Sequence, residues 1–155
     1  MTRAEAIAFV ESRHAQGDSI VFTNGVFDLL HPGHLRYLQR ARALGDVLIV
    51  GVNSDRSVRA IKGPSRPITA EDERAELVAA LACVDAAVIF DDDTPWQLIV
   101  ALQPDVLVKG ADWAEDAIVG RDIVEARGGR VVRMPIEAGY STTAILERIR
   151  RAGRT

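Results

Sequence analysis

Ser19-Ile20-Val21-Phe22-Thr23-Asn24-Gly25-Val26-Phe27-Asp28-Leu29-Leu30-His31-Pro32-Gly33-His34-Leu35 decides the fold. It opens with a short β-branched run at 19–23, turns at Gly25, and re-emerges as a helix that starts near Pro32 and carries Leu35, Leu38 and Ala41 on one side. A strand feeding a helix in this way is half of a β-α-β unit, and the pattern repeats. Apolar runs rich in Val and Ile recur at 47–52, 85–90, 106–109 and 130–134. Helix starts fall between them: Thr2 with Glu5 three residues on, Thr69 with Asp72, and Thr94 followed by Pro95 and Gln97. Gly17 and Gly45 are placed to close the first two helices. A further helix is expected from Ala70 to Cys83, and the longest loops at 53–68 and 110–119. Continuous apolar strands alternating with helices predict a parallel sheet covered on both faces. Right-handed crossovers then put every strand-to-helix loop on one edge, where ligands bind. The expected fold is α/β: a Rossmann-like doubly wound sheet of about five parallel strands, in a single domain over residues 1–155 with its core at about 19–150.

Composition narrows the function. With 155 residues, 48% hydrophobic and 26% charged, the chain has the makeup of one ordinary globular domain, which excludes a disordered chain and a disulfide scaffold. Cys83 has no partner for an internal bridge, which fits a reducing cytoplasm, and its neighbours Ala82 and Val84 predict a buried, inert thiol. No apolar run approaches membrane-spanning length and the first residues lack the plan of a signal peptide, so a cytoplasmic protein without a membrane partner is expected. A net charge of -3 with no basic stripe disfavours nucleic acid and leaves phosphorylated small molecules open. Of the 19 basic residues only Lys62 and Lys109 are lysines, each followed by glycine. Either two lysines survive by chance in an Arg-rich chain, or a compact ammonium is needed at both places where a planar guanidinium would not fit.

The deciding stretch also carries chemistry. Gly25 allows close backbone approach, and the helix after Pro32 aims free N–H groups and a positive dipole end at the same spot, which makes an anion site. His31 and His34, three apart at a helix start, lie on one side of the first turn where both rings can donate to phosphate oxygens. Capping or surface histidines are the alternative. A zinc site would need two more ligands, and His14 and Cys83 sit in other helices; His14 reads as a surface residue. Ser141-Thr142-Thr143, after Gly139, offers hydroxyls and N–H groups at the start of the last helix, as a second anion site or a simple N-cap. Asp91-Asp92-Asp93 reads as a solvated turn, and no Gly-x-x-x-x-Gly-Lys or Gly-x-Gly-x-x-Gly stretch is present.

His-Pro-Gly-His after Gly-Val-Phe-Asp resembles the His-x-Gly-His signature of the nucleotidyltransferases, which join a nucleoside monophosphate to a phosphorylated acceptor and release pyrophosphate. Within them the chain is similar to the heptose 1-phosphate adenylyltransferases, whether a domain of a bifunctional heptose kinase/adenylyltransferase or a separate chain. The matching segments span about 19–150: Phe22–Asp28, Gly51-Val52-Asn53-Ser54-Asp55, Lys62-Gly63-Pro64-Ser65-Arg66-Pro67-Ile68, Leu107-Val108-Lys109-Gly110-Ala111-Asp112-Trp113 and Ser141-Thr142-Thr143. Ala111 stands where the family usually has a second glycine, and Trp113 where tyrosine is common.

The resemblance implies catalytic roles for His31, His34 and Lys62, and a nucleotide site built from Thr23, Asn24, Gly25, Val26, Phe27, Gly33, Lys109, Gly110, Asp112, Ser141, Thr142 and Thr143. It implies acceptor contacts from Asp28, Asn53, Arg66 and Arg74, although a surface ion pair of Arg74 with Glu71 or Glu73 would explain that arginine equally well. It further implies ATP and a sugar 1-phosphate (D-glycero-D-manno-heptose 1-phosphate) as substrates, ADP-heptose for surface glycans as product, Mg²⁺ escorting ATP with no metal site in the protein, and a homodimer or higher homo-oligomer. Two other readings stand beside it. A glycerol 3-phosphate cytidylyltransferase shares both anion elements but typically has Arg-Thr-Glu-Gly where this chain has Ile136-Glu137-Ala138-Gly139. A nucleotide-binding regulatory module that has lost catalysis is the other, and intact His31, His34 and Lys62 weigh against it.

Overall fold

The computed structural model describes residues 1–154, and its centre is a five-stranded, wholly parallel sheet in the order β3-β2-β1-β4-β5. The strands are β1 (Ile20–Gly25), β2 (Val47–Asn53), β3 (Ala86–Phe90), β4 (Val106–Gly110) and β5 (Arg130–Met134), and the helices are α1 (Arg3–Ala15), α2 (Pro32–Arg42), α3 (Asp55–Lys62), α4 (Glu71–Ala79), α5 (Trp96–Leu102), α6 (Arg121–Ala126) and α7 (Thr142–Ala152). Alternate residues of each strand feed opposite layers. Ile20, Phe22, Ile49, Val88 and Leu107 pack with α1, α5 and α6 through Val10, Leu98, Leu102 and Val124. Val21, Leu48, Val50, Ala87 and Val108 pack with α2 and α4 through Leu38, Ala41 and Val78. Each layer buries its apolar stripe against one face of the sheet, which is the doubly wound arrangement the strand composition predicts.

Several local expectations change. The stretch 53–68 is not a bare loop: Ser54 caps α3 by accepting the Ser57 N–H at 3.1 Å. The helix placed at Ala70 to Cys83 ends at Ala79, and its N-cap is Ala70, whose N–H goes to Glu73. Thr69, expected to be that cap, spends its hydroxyl on Asp28 instead. α5 begins at Trp96 with Pro95 in the cap position, so Pro95 stands one residue outside the helix. Gly17 does close α1 with a positive φ of 87°. Gly45 serves a different need, since a Cβ there would lie 2.7 Å from the Val21 side chain. Cys83 is half-buried rather than buried, and burial pushes its thiol up. His14 is held, half-buried, 3.0 Å from Asp105, which also accepts the Ile20 N–H at the start of β1.

The strand order places the topological switch between β1 and β4, the two strands whose crossovers run in opposite directions. Their register covers only Val21 with Val106 and Phe22 with Leu107. Beyond Phe22, side chains replace the ladder: Thr23 Oγ1 donates to the Val108 carbonyl at 2.9 Å, and Lys109 Nζ donates to Asn24 Oδ1. The two strands thus part at their C-terminal ends, and the crevice opens there.

Candidate active site

The helix entering this crevice, α2, is capped by its own histidines. His31 is the N-cap, and its Nδ1 accepts the His34 N–H at 3.3 Å while His34 Nδ1 accepts the His31 N–H at 3.4 Å. The rings stack 3.7 Å apart at 19°. With both Nδ1 atoms taken as acceptors, the proton of each neutral ring resides on Nε2, the free donor position. Burial, helped by the charges of His31 and Lys62, pulls His34 down to about 4; burial also lowers His31. Both histidines are therefore neutral Nε2–H donors at pH 7. The capping alternative is met on Nδ1 of both rings, and Nε2 of each is left to donate elsewhere.

Phe27 shapes the turn before the helix. Its φ of 50° is left-handed, a strained state for a bulky residue, and its ring folds back to meet His34 edge-on at 5.4 Å. A Cβ on Gly25 would lie 3.0 Å from that ring. The turn delivers Asp28 into the protein rather than into the crevice. Its side chain is 1% exposed and accepts from Arg66 Nε at 2.6 Å, the N–H groups of Ile68 and Thr69, and the Thr69 hydroxyl. Burial opposes its charge, but these bonds together hold its pKa below the usual carboxylate range.

Arg74 corrects its expectation further. It forms no surface pair with Glu71 or Glu73; it is buried, and its fork donates to the carbonyls of Thr69, Val26 and Asn53 and to Asp55. It ties together the ends of β1 and β2 and the loop before α4. Neither Asp28 nor Arg74 lines the crevice, whereas Arg66 does, using only Nε on Asp28.

Across the crevice, Ser141 caps α7 by accepting the Ala144 N–H at 3.0 Å, and Ser141, Thr142 and Thr143 line the opening beside His31 and His34. The segment between β5 and α7 is clasped to α2. Arg36 Nη1 pairs with Glu137 at 2.7 Å and its guanidinium stands 5.2 Å from the centre of the Tyr140 ring, while Arg40 donates to the Pro135 carbonyl. Gly33 is the hinge of this contact, because a Cβ there would sit 2.8 Å from Tyr140 and 2.9 Å from the His31 ring.

Two adjoining cavities result. The first, about 390 Å³, has at its walls Gly25, Val26, Phe27, His31, Gly33, His34, Arg66, Gly110, Asp112 and the Ser141–Thr143 hydroxyl segment. The second, about 340 Å³, is walled by Asn53, Ile61, Asp93, Thr94, Pro95, Lys109, Trp113 and Val119. Asn24, Gly25, Val26, Tyr37, Lys62 and Gly110 border both, so Lys62, the last residue of α3, stands at the seam. Gly63 follows it with φ 95°, turning the chain away so that the ammonium ends the helix.

The structure thus separates residues expected to act together: Lys109 lies in the second cavity and the Ser-Thr-Thr segment in the first, while Asn53, expected at the acceptor, lines the second. Thr23 lines neither, serving the β1–β4 join. Tyr37 and Tyr140 are wall residues that the sequence reading did not single out, and Asp93 and Thr94, read there as a turn and a helix start, also line a wall. The detectable signal for Tyr37 was its place three residues after His34 on the same helical side. Asp91 and Asp93 are solvated as expected, and the turn also carries contacts: Ser54 and Arg56 engage Asp91, Arg3 engages Asp92, and Arg56 reaches Asp93. Among the described residues no group of three His, Cys, Asp or Glu side chains converges as a metal cage, and no helix is long and apolar enough to cross a membrane.

Residues 22–148 match the cytidylyltransferase-like family. The chain is 55% identical over 140 residues to the bifunctional protein HldE of Syntrophotalea carbinolica and 57% identical over 142 residues to that of Hyphomonas neptunium, covering 90% and 92% of this chain. It spans 29% of the length of each of these relatives. Among solved structures, the lipopolysaccharide core biosynthesis protein from Thermoplasma volcanium superposes with a TM-score of 0.65 at 30% identity, over 78% of this chain and 98% of that one. A protein of unknown function from Archaeoglobus fulgidus, at 24% identity and a TM-score of 0.57 over 80% of this chain and 93% of that one, shares the fold.

Proposed function

The chain belongs to the cytidylyltransferase-like family of nucleotidyltransferases, and on that premise we propose that it transfers the adenylyl group of ATP to a heptose 1-phosphate, giving ADP-heptose and pyrophosphate. The observation that carries this reading is the pair of adjoining cavities with Lys62 at their seam. The first has two helix N-termini, those of α2 and α7, facing one space together with two histidine donors, which suits a triphosphate. The second has the size and mixed lining of a small-molecule site and suits the acceptor. The likeness to HldE and to a lipopolysaccharide core biosynthesis protein supports a sugar acceptor.

The mechanism follows from charge. A sugar 1-phosphate is mostly a dianion at neutral pH, since its second pKa lies near 6, and it needs no general base. The protein's task is to bring two phosphates that repel each other into line and to stabilise charge on the departing pyrophosphate. His31 and His34 donate from Nε2 to the α-phosphate and leaving group, Lys62 bridges attacking and attacked phosphates, and Thr142 and Thr143 hold the far end of the triphosphate, joined by Arg66, which was expected at the acceptor but lines the first cavity. Mg²⁺ bound with ATP would neutralise charge on the β- and γ-phosphates, and Asp112, a carboxylate lining the first cavity, would be the residue to offer it an oxygen.

A pyrophosphate-release screen tests the proposal by crossing four nucleoside triphosphates with heptose 1-phosphate, glycerol 3-phosphate and other sugar phosphates. ATP with heptose 1-phosphate should lead, with CTP roughly tenfold poorer, a margin that one base-specific hydrogen bond supplies. Equal rates with CTP would overturn the nucleotide. Activity on glycerol 3-phosphate alone would overturn the acceptor.

A further inference from the structure

Lysine is rare in this chain, with two residues against 17 arginines, yet both lysines border the second cavity. Lys62 reaches it from the end of α3, which is exposed to solvent. Lys109 reaches it from β4 and is 8% exposed. An ammonium taken out of water is costly unless it is paired. The hydrogen-bond partner of Lys109 is the neutral amide oxygen of Asn24, and among the described residues no carboxylate pairs with it. The acid of that cavity, Asp93, is already engaged by Arg56 at 3.2 Å. Burial alone brings Lys109 down to about 8, as expected for a cation lacking a counter-charge. Around it stand apolar surfaces: Ile61, Pro95, Val119 and the Trp113 ring, whose centre is 5.8 Å from Nζ. An anionic head beside a body with a C–H face would satisfy both.

We propose that Lys109 binds the phosphate of the acceptor, opposite Lys62, and that the sugar ring lies against Trp113 in the second cavity. This moves Lys109 from the nucleotide to the acceptor and rests on the reading of the two cavities as nucleotide and acceptor halves. A sugar phosphate seated there supplies the negative charge that the buried ammonium lacks, and the ammonium holds the attacking phosphate while Lys62 guides it across the seam. Arginine at this position would lack room, because the cation must sit between Asn24 and the indole.

Two measurements test it. In Lys109→Met, of similar length and no charge, KM for heptose 1-phosphate should rise roughly 10- to 100-fold, the worth of a charge-assisted phosphate contact, while KM for ATP moves less than about threefold. The inhibition constant of inorganic phosphate against the acceptor should rise in parallel. A rise in KM for ATP equal to or above that for the acceptor would overturn the proposal, and so would unchanged acceptor and phosphate constants, which would leave the lysine as a tie to Asn24 only.

The second measurement uses the unaltered protein and does not depend on the variant folding. With only two lysines, amine modification read by mass spectrometry resolves each one. Heptose 1-phosphate or inorganic phosphate should protect Lys109, and ATP alone should not; protection by ATP and not by the phosphates would overturn the assignment. If the parent protein made no ADP-heptose at all, the reaction proposed above would fall, while protection by inorganic phosphate would still decide whether Lys109 holds a phosphate.

Discussion

His31 and His34 cap the same helix reciprocally, each ring's Nδ1 accepting the other's backbone N–H, with the two rings stacked at 3.7 Å. This fixes ring orientation through the backbone, so the Nε2–H donors are aimed before any ligand arrives. Preorganisation of this kind lets a hydrogen bond stabilise developing phosphate charge without reorganisation at the moment of reaction.

Removing a donor should therefore cost catalysis more than stability. His34→Asn keeps an acceptor near the His31 N–H but loses the Nε2 donor, and kcat should fall roughly 10²- to 10⁴-fold with the fold retained. His31→Asn should behave alike, and the double variant should be far less than additive because both rings act on one charge. Steady-state rates of purified, folded variants decide this. A His34→Asn rate within about threefold of the parent would remove His34 from the mechanism.

The same burial makes a pH prediction. Folding holds the His34 pKa at about 4, below the usual histidine value of 6.5, so between those values the unfolded chain binds a proton that the folded chain does not. Stability is thus full above pH 6.5 and falls as pH drops toward 4. At about 1.4 kcal/mol per unit, the loss across this window is up to about 3 kcal/mol, with His31 adding in the same direction. Urea unfolding at pH 7 and pH 5 should show a smaller difference in His34→Asn than in the parent; equal differences would mean that the ring titrates normally.

Lys62 stands where the two cavities meet, and in the proposed reaction the attacking and attacked phosphates close on it from both sides. Lys62→Arg should be nearly as damaging as Lys62→Ala, because a planar fork does not fit a slot that a compact ammonium fills. Full activity in the arginine variant would show that positive charge anywhere nearby suffices.

The alternation of apolar runs made the parallel sheet and its binding edge legible, and His31, Gly33 and His34 announced an anion site because a strand, a glycine and a helix start are local features. What stayed hidden is long-range. Asp28 reads as a site residue because it sits in a matching motif and Arg74 because the resemblance suggests it for the helix after 70, yet nothing in the sequence says that Asp28 will fold inward onto a loop 40 residues away or that Arg74 will reach Val26, Asn53 and Asp55. Lys109 was legible as unusual but not as a resident of the second cavity, since that depends on where β1 and β4 part. α3 was missed because it is only eight residues long and buries only Ser57 and Val58, too short a stretch to stand out between the strands.

Arg74 supplies the last prediction, on the architecture beneath the site. Its buried fork satisfies three carbonyls and one carboxylate drawn from the turn just after β1, from β2, from α3 and from the loop before α4. Arg74→Met would preserve much of the packing volume but leave the Val26, Asn53 and Thr69 carbonyls without this donor, and each buried unsatisfied group costs about 1–3 kcal/mol. Asp55, 27% exposed, can turn to water and adds little. A loss of about 3–5 kcal/mol is expected, since part of the sum is recovered by relaxation and water entry. Arg74→Lys should rescue only a fraction, because one ammonium cannot span acceptors that a planar fork reaches in several directions. Arg3→Ala, which removes an ion pair with Asp92 at the surface, should change stability by less than about 0.5–1 kcal/mol and serves as the contrast. Denaturant unfolding of the three variants measures all of this, and an Arg74→Met protein within about 1 kcal/mol of the parent would show that the strand ends hold their places without the guanidinium.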